Sequence, residues 1–399
     1  MQSTEPLLAL VAHKPTAAVD RGFLPAAARL GLRCAILTDQ PDEQRASLAA
    51  VDEALPAIRL IECDVFSPTA IIDALLQDGE PPAAIFSNSD HLQTATALAA
   101  AWFGLPGKDW RSAHRVKNKA VMRAAIRAAG LDHVWAETVT GLADLDRLAP
   151  PFPCVVKPRQ GVASEDVGLA NDAAELRGLC EAIWRRSPGM PLLIEEFLQG
   201  TLHSLETLGN GRDIMVLGGY RCSLTRPPSF VIDEMHWSHE VPEPIRIPLL
   251  DQLRTLGVGF GACHTEYVLG ADGHPRLIEV NYRSIGDGAD FLMADAIGFD
   301  YFAAVLSLHL GNRLPKRSEP ERYAAIRYLF QDVAQDLPER WDLPGCRVML
   351  ARLAAQGIAG PHLSNRDYRA RLSLLGDTPD AIADALASLA LSDHQETVA

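Results

Sequence analysis

The sequence predicts an α/β (α+β) protein built from three consecutive units. Strand-like and helix-like segments alternate through the first hundred residues, as in a doubly wound, Rossmann-like domain. A compact mixed block follows, and strand-like segments then dominate from 203 to 283. The last hundred residues return to a mixture of helices and strands. A chain of this length is sufficient for two or three packed cores.

Composition and charge narrow the class of protein. The chain has 399 residues, 48% of them hydrophobic, and a formal net charge of −14. Its longest apolar runs fall well short of the roughly 20 residues that a bilayer-spanning helix needs. The seven cysteines contain no C-x-x-C pair, so neither a zinc ribbon nor a disulfide framework is indicated. We therefore expect a cytoplasmic protein that binds neither membranes nor nucleic acid.

The first unit contains a candidate substrate loop. Residues 87–90, Ser-Asn-Ser-Asp, directly follow the predicted strand AAIF. Ligands of open α/β sheets bind beside the carboxyl ends of the strands, so Asn88 and Ser89 are candidate substrate contacts. No G-x-G-x-x-G sequence follows the first strand, so a dinucleotide site is not supported.

The segment LIEVNYRS, residues 277–284, reads as a β-strand with an acid, an amide and a guanidinium on one face. Side chains alternate along a strand. Strict alternation assigns one face to Leu277, Glu279, Asn281 and Arg283, and the other to Ile278, Val280 and Tyr282. An exposed hairpin with solvated charges is the alternative interpretation of this pattern.

The preceding residues indicate what this polar face is for. If Gly270 to Pro275 form a turn, antiparallel pairing sets Glu266 opposite Glu279 and His264 opposite Asn281. Opposed residues have Cβ atoms roughly 5 Å apart, and like charges at that distance destabilise a sheet. A cation is therefore expected between the carboxylates, and Mg²⁺ accepts carboxylate and amide oxygens. A register slip of one residue would turn the whole set to the other side.

Two further segments suggest an anion site. Lys119 lies on a basic helix predicted over 115–131, and Lys157 ends the apolar strand PCVVKP. The loop after Lys157 contains Gly161 and Ser164, whose backbone N–H groups could close over an anion. A solvated strand end is the alternative for Lys157.

The strand LLIEEFLQG contains Glu195, Glu196, Phe197 and Leu198 near its end. An adenine ring needs an apolar slot and one exposed backbone edge, and the end of this strand could supply both. A purely structural strand is the alternative interpretation of this segment.

Taken in order, these segments resemble the ATP-grasp superfamily, whose ligases activate a carboxylate as an acyl phosphate. The resemblance covers about residues 115 to 290 and rests on NKAVMRAAIRAAGL, CVVKPRQGVASEDVG, LLIEEFLQGTLHSLE and HTEYVLGADGHPRLIEVNYRSIGDG. It implies a pre-ATP-grasp domain at 1–112, a linker helix and lid at 113–198, and a catalytic subdomain with a C-terminal extension at 199–399.

The resemblance also implies roles for individual residues. Phosphate contacts are implied for Lys119 and Lys157 beneath the 160–168 loop, and an adenine hinge for residues 195–198. Two Mg²⁺ ions, with Mn²⁺ as an alternative, would be held by Glu266, Glu279 and Asn281. The implied catalytic residues are Arg283, which would steady the acyl phosphate, with Lys157 and Asn281.

One position departs from the family pattern. Leu202 stands where many members carry the acid that holds the ribose, which leaves Glu196 or Glu206 as the candidates for that role. Arg221 and Arg226 are candidates for gripping an anionic substrate. Dimers are common in the family, although no feature of this sequence demonstrates one.

The predicted function is that of an ATP-dependent carboxylate–amine ligase. It would join a small acid to an amine through an acyl phosphate and release ADP and phosphate, in the biosynthesis of a dipeptide, a peptide-like metabolite or a siderophore. The alternatives are a carboxylase or phosphotransferase that uses the same nucleotide machinery, and a non-catalytic ATP-binding module.

Overall fold

The computed structural model describes residues 5–159, 166–225, 230–317, 322–353 and 367–393. Three residues singled out above, Gly161, Ser164 and Arg226, lie outside the described residues, as does most of the 160–168 loop.

The first sheet is parallel and has the strand order β3-β2-β1-β4. Three of its strands are buried and mostly apolar, as expected where helices cover both faces, whereas the edge strand that carries Arg59 and Glu62 is only half-buried. The strands are β1 (Leu7–Val11), β2 (Arg33–Thr38), β3 (Ile58–Glu62) and β4 (Ala84–Phe86). The helices are a π-helical turn (Ala18–Phe23) that continues into α1 (Leu24–Arg29), then α2 (Pro41–Leu48), α3 (Pro68–Asp78) and α4 (Gln93–Trp102). The sequential order of the strands reverses between β1 and β4, and the 87–90 loop begins at that edge.

The second sheet is antiparallel and has the order β5-β8-β6-β7. Its strands are β5 (Ala136–Val139), β6 (Cys154–Pro158), β7 (Gly168–Ala170) and β8 (Leu192–Glu196), with α7 (Leu142–Leu145) and α8 (Ala173–Arg186) packed nearby. The basic helix predicted over 115–131 is two helices, α5 (Trp110–Lys117) and α6 (Lys119–Ala128). They meet at Asn118, whose side chain accepts a hydrogen bond from the Val121 amide at 3.3 Å and caps α6. This break places Lys119 in the first turn of α6.

The third sheet has nine antiparallel strands in the order β13-β12-β9-β10-β11-β14-β17-β16-β15. The strands are β9 (Thr201–Asn210), β10 (Ile214–Leu224), β11 (Ile232–Ser238), β12 (Phe260–Leu269), β13 (Pro275–Asn281), β14 (Tyr323–Leu329), β15 (Arg340–Leu343), β16 (Cys346–Arg352) and β17 (Ala370–Gly376). The helices are α9 (Glu243–Leu256), α10 (Ala289–Ala296), α11 (Tyr301–His309) and α12 (Pro379–Asp393). Among the described residues no single helix could span a membrane; only α10 and α11 together, bent by 99°, meet the length and composition required.

The first and third sheets share one hydrophobic core. The ring of Phe23 packs edge-on against Phe302 of α11 at 5.0 Å, and Phe86 packs against His309 at 5.1 Å. Gly22 is needed at this contact because a Cβ there would lie 2.5 Å from the Phe302 ring. The carboxyl edge of the first sheet is thereby fixed against the strands that carry the polar hairpin.

The β12–β13 hairpin has the predicted pairing of Glu266 with Glu279, but its loop is shorter than predicted and one strand contains a bulge. Leu269 pairs with Pro275, so the loop is one residue shorter than the predicted 270–275 turn. A bulge at Ile278 compensates, since Tyr267 pairs with Leu277 and the next pair joins Glu266 to Glu279.

The bulge corrects the predicted faces of the strand. Leu277 was expected beside Glu279, but it is fully buried in the core that α9 covers, together with Val280 and Tyr282. Ile278, expected on the opposite side, instead lines a cavity beside Glu279. The bulge therefore places Leu277 in the core and Ile278 in the cavity, and it leaves Glu279 and Asn281 in register with β12.

Candidate active site

A cavity of about 200 Å³ lies between the second sheet and the β9–β12–β13 part of the third. The second-sheet side of the cavity is formed by Val155, Lys157, Glu195, Glu196, Phe197 and Leu198. The opposite wall is formed by Leu202, Leu224, Glu266, Val268, Ile278 and Glu279, and Lys119 reaches in from α6. The fold thus brings together the two predicted lysines, the predicted adenine segment and the two predicted metal-binding glutamates.

One end of this cavity is an apolar slot. The rings of Phe197 and Phe230 lie 6.0 Å apart, and Leu202 contributes to the same lining. Glu196 lines the cavity and is half-buried, whereas Glu206 is not among its lining residues. Of the two ribose candidates, Glu196 lines this cavity and Glu206 does not, and the ribose role itself stays a prediction.

The side chain of Glu195 is the centre of a buried ion cluster. Its two oxygens pair with the Nε of Arg123, at 2.6 Å, and with the Nζ of Lys157. Burial opposes ionisation, but the two cations outweigh it and lower the pKa of Glu195 to about 2. Burial also lowers the pKa of Lys157, against the opposing effect of Glu195. Glu195 therefore forms an ion pair that favours the charged form of Lys157, and it also belongs to the predicted adenine segment.

The two opposed glutamates are each held by a different cation. The Nζ of Lys119 lies 2.8 Å from an oxygen of Glu279. The Nε2 of His264 lies 3.2 Å from an oxygen of Glu266, and its Nδ1 lies 2.7 Å from Glu206. Burial alone would lower the pKa of His264, but the two carboxylates raise it to about 10. His264 is therefore an imidazolium cation between two acids.

A second cavity of about 260 Å³ begins where the first ends, because both are lined by Leu202, Phe230, Glu266 and Glu279. Its polar lining includes Ser204, His264, Asn281, Arg283 and Asp287, and its apolar lining includes Cys222, Met235, Ile285, Tyr328 and Tyr368. The rings of Tyr328 and Tyr368 are stacked at 4.2 Å. The two glutamates thus stand at the boundary between the first cavity, with its apolar slot, and this second, amphipathic cavity.

The 87–90 loop reaches the residues that follow β13. The side-chain oxygen of Asn88 accepts a hydrogen bond from the Ser284 amide at 3.1 Å, next to Arg283. The Ser89 carbonyl accepts one from the Gln93 side chain at 2.7 Å. Asn88 is therefore close to the predicted acyl-phosphate residue, whereas Ser89 makes its hydrogen bonds to Ser87, Leu92 and Gln93, within the first unit.

Arg221 occupies a different place from the one expected. Its neighbour Cys222 lines the second cavity, and Arg221 is exposed on the other face of β10. The described residues that line the two cavities do not include Arg221.

Three buried residues of this region were given no role from the sequence. Arg123 is one helical turn from Lys119, and its partner is distant in the chain. Lys108 is buried and donates to the Gln93 side chain and to the carbonyl of Tyr282, and burial lowers its pKa to about 7. The third, His264, could have been recognised as a partner of Glu266, because residues two apart share a strand face.

The chemistry of the opposed glutamates and of Asn281 suits a divalent cation. Glu266, Glu279 and Asn281 supply hard oxygen donors, and the opposed glutamates have like charges. Among the described residues no group of three or more His, Cys, Asp or Glu side chains is arranged to hold a metal by itself.

No family model matches the sequence. An uncharacterised protein of Sinorhizobium fredii, y4rH, is 27% identical over 339 residues, which are 81% of this chain and 68% of that protein. The carbamoyl phosphate synthase large chain of Bifidobacterium adolescentis is 25% identical over 215 residues, which are 50% of this chain and 18% of the synthase. The chain thus matches less than a fifth of that relative's length.

Solved structures match over nearly the whole chain. The L-amino acid ligase of Bacillus licheniformis has a TM-score of 0.76 at 22% identity, covering 97% of this chain and 98% of that one. The N5-carboxyaminoimidazole synthetase of Staphylococcus aureus, complexed with ADP, has a TM-score of 0.70 at 15% identity, covering 96% of each chain. The biotin carboxylase domain dimer of Hydrogenobacter thermophilus 2-oxoglutarate carboxylase, solved with MgADP and bicarbonate, has a TM-score of 0.69 at 18% identity, covering 96% and 88%.

The chain has the ATP-grasp fold. The ATP-grasp resemblance of residues 115 to 290 is therefore confirmed at the level of the fold, and the likeness extends beyond that segment to both ends of the chain. The domain boundaries and the roles of individual residues stay predictions.

Proposed function

We propose that this ATP-grasp protein is an ATP-dependent ligase that joins a small carboxylic acid to an amine. The observation that carries the proposal is the position of Glu266 and Glu279 at the boundary of two cavities. One cavity has lysines and an apolar slot, and the other has Arg283 and an apolar wall. A reaction between a nucleotide and a second small molecule requires such an adjoining pair of sites.

The first cavity suits ATP. Its apolar slot, with Phe197 and Phe230, offers faces against which an adenine ring packs. Lys119 and Lys157 then face the phosphates, where a compact ammonium group neutralises charge. Glu196 is our candidate for the ribose hydroxyls.

Glu266, Glu279 and Asn281 are the residues that would hold Mg²⁺, because carboxylate and amide oxygens are donors that this ion prefers. When bound, the ion neutralises the charge that develops on the phosphoryl oxygens during transfer. Lys119 pairs with Glu279 and so keeps that carboxylate oriented when no ion is bound. His264 does the same for Glu266.

Arg283 is our candidate for holding the activated acid. Its guanidinium is half-buried, donates to the Ser284 carbonyl at 2.7 Å and faces the second cavity. A substrate carboxylate attacks the γ-phosphorus of ATP, and ADP leaves. An amine nitrogen then attacks the acyl carbon, the C–N bond forms, the C–O bond to phosphate breaks, and the amine loses a proton. Positioning and charge neutralisation are the main contributions of the protein to such a transfer.

The lining of the second cavity narrows the class of substrate. Its volume suits part of a small molecule, and the Tyr328–Tyr368 stack with Met235 forms an apolar part of the lining to which Arg283 also belongs. A carboxylate with an apolar body fits this lining, as does an apolar amino acid in a dipeptide-type product. The L-amino acid ligase among the similar structures is consistent with that choice.

Nucleotide turnover with mixed substrates tests the proposal. ADP release is measured with ATP, Mg²⁺ and pools of carboxylic acids and amines, each alone and together, with bicarbonate as a separate arm. Release that needs both an acid and an amine, with an amide detected by mass spectrometry, is the expected result. Release with bicarbonate alone would favour a carboxylase, and tight ATP binding without turnover in every mixture would favour a binding module.

The assembly is tested separately. The biotin carboxylase domain named above is a dimer. A homodimer of this chain stays a prediction, which light scattering of the purified protein checks.

A further inference from the structure

The buried cluster around Glu195 contains one more cation than the nucleotide chemistry requires. Arg123 and Lys157 both pair with the same carboxylate, and the exposed fractions of the Arg123, Glu195 and Lys157 side chains are 5%, 4% and 9%. Two cations and one anion leave the cluster with a net positive charge. Buried ions are costly, so a third charged group in such a place needs a reason.

The position of each group shows which of them meets the nucleotide cavity. Lys157 and Glu195 line the cavity, whereas Arg123 is not among its lining residues and so stands behind Glu195. Lys119 lies on the same helix four residues earlier, so it shares a face with Arg123 and reaches the cavity. Arg123 is thus close to the phosphate end without facing it.

Arg123 is also incompletely satisfied by the described residues. Its Nε donates to Glu195, but its Nη1 and Nη2 are buried without a hydrogen-bond partner. Leaving buried donors unpaired is unfavourable, so packing alone is a poor reason for an arginine here. A leucine or methionine would fill the same space without that cost.

Without Arg123, Glu195 would neutralise Lys157 completely. A triphosphate entering the cavity would then meet a neutral pair, one member of which is a carboxylate that repels it. With Arg123 present, the charge of Glu195 is balanced from behind, and the charge of Lys157 is left for the ligand. In a partly desolvated site, a difference of one charge changes the interaction energy with a phosphate several ångströms away.

We infer that Arg123 is a positioning residue of the nucleotide site, which cancels the charge of Glu195 so that Lys157 presents a net positive charge to the ATP phosphates. The inference rests on the proposed function only in so far as the first cavity binds ATP. It requires neither the acid, the amine nor the amide product.

Calorimetric titration of the full chain with ATP and with adenosine tests this inference. The Arg123→Met variant keeps an unbranched apolar stem, shorter than that of arginine, and removes the charge. ATP should bind roughly tenfold or more weakly, as expected for the loss of one charge at several ångströms in a medium of intermediate dielectric, and adenosine should bind as before. The Arg123→Lys variant should recover most of the ATP affinity.

The double variant Arg123→Met/Glu195→Gln separates charge from structure. It removes both the cation and the anion, so Lys157 again presents one positive charge and ATP affinity should recover. The matched control is Arg127→Met, one turn further along α6, where an exposed arginine is removed and no change is expected. Thermal unfolding confirms that each variant is folded.

Two results would overturn the inference. Equal loss of ATP and adenosine binding in Arg123→Met would mean that Arg123 maintains the shape of the site, and unchanged ATP binding would mean that its charge is irrelevant. Both differ from a failure of the proposed function, in which the unmodified protein itself would not bind ATP.

Discussion

Glu266 and Glu279 lie directly opposite each other on β12 and β13, and each carboxylate is already paired with its own cation. The pairing is made by His264 on one side and by Lys119 on the other. Two like charges are thereby tolerated across a strand pair, in an orientation that faces both cavities. This relationship leads to predictions about the nucleotide site, the stability of the sheet and the choice of substrate.

Replacing Lys157 should weaken nucleotide binding. In Lys157→Met a charge-assisted contact with phosphate is lost, so the Kd for ATP should rise roughly ten- to hundredfold, while the Kd for adenosine should change little. Titration calorimetry measures both constants. Lys14→Met, which removes an exposed lysine, is the control. An ATP affinity equal to that of the unmodified protein would argue against a phosphate contact.

Removing the imidazolium between the buried Glu206 and the half-buried Glu266 should destabilise the large sheet. In His264→Leu the carboxylates of Glu206 and Glu266 lose their shared cation, and breaking a buried ion pair costs about 3–5 kcal/mol. Urea unfolding measures the loss, and His264→Leu/Glu206→Leu should regain part of it. His274→Leu, in the hairpin loop, serves as the control. Equal stability of His264→Leu and the control would show that His264 is not a structural cation.

The Glu195 cluster predicts an acid-dependent stability. Folding lowers the pKa of Glu195 from 4.5 to about 2, so the unfolded chain binds more protons between these values. The contribution is fully present above about pH 4.5, is on the order of 3 kcal/mol, and is lost as the pH falls towards 2. The difference in unfolding free energy between the unmodified protein and Glu195→Gln should therefore shrink from pH 5 to pH 3.

The control for this pH dependence is Glu137→Gln, which removes an exposed carboxylate of β5. Its difference from the unmodified protein should be small at every pH. A constant difference for Glu195→Gln over the same range would contradict the buried, ionised state of Glu195.

The tyrosine stack should control which acids or amines are accepted. Tyr368 is buried against Tyr328, and its hydroxyl donates to the Ile232 carbonyl at 2.6 Å. Tyr368→Leu should admit bulkier substrates and lower the rate with the preferred ones, whereas ATP affinity should stay unchanged. Product profiles by mass spectrometry check this, and Tyr368→Phe separates the ring from the hydroxyl. An identical product profile for all three proteins would show that the tyrosine stack does not contact the substrate.

Local patterns were enough to predict the strands and the pairing of the glutamates. Apolar runs and period-two alternation predicted the buried strands of the first sheet and the polar face of β13. The pairing of Glu266 with Glu279 was correct, although it was derived from a loop that is one residue too long. A single-residue bulge leaves no mark in the local pattern when the displaced residues, Leu277 and Ile278, are both apolar.

Long-range partners could not be predicted in this way. The contact between Arg123 and Glu195 joins residues 72 apart, and that between Lys108 and Tyr282 joins residues 174 apart. Their side chains are polar but buried, so hydrophobic periodicity assigns them to no face. The break between α5 and α6 was also missed, because Asn118 is an N-cap inside what reads as one basic amphipathic run.

The most direct test of the central claim is ADP release by Glu279→Gln. The variant keeps the shape of the side chain but removes the charge predicted to hold Mg²⁺. A bound metal ion stabilises the transition state of phosphoryl transfer by several kcal/mol. We expect acid- and amine-dependent ADP release to fall at least about a hundredfold in a variant that thermal unfolding shows to be folded, while Glu137→Gln stays fully active. Turnover by Glu279→Gln at the rate of the unmodified protein would contradict the account.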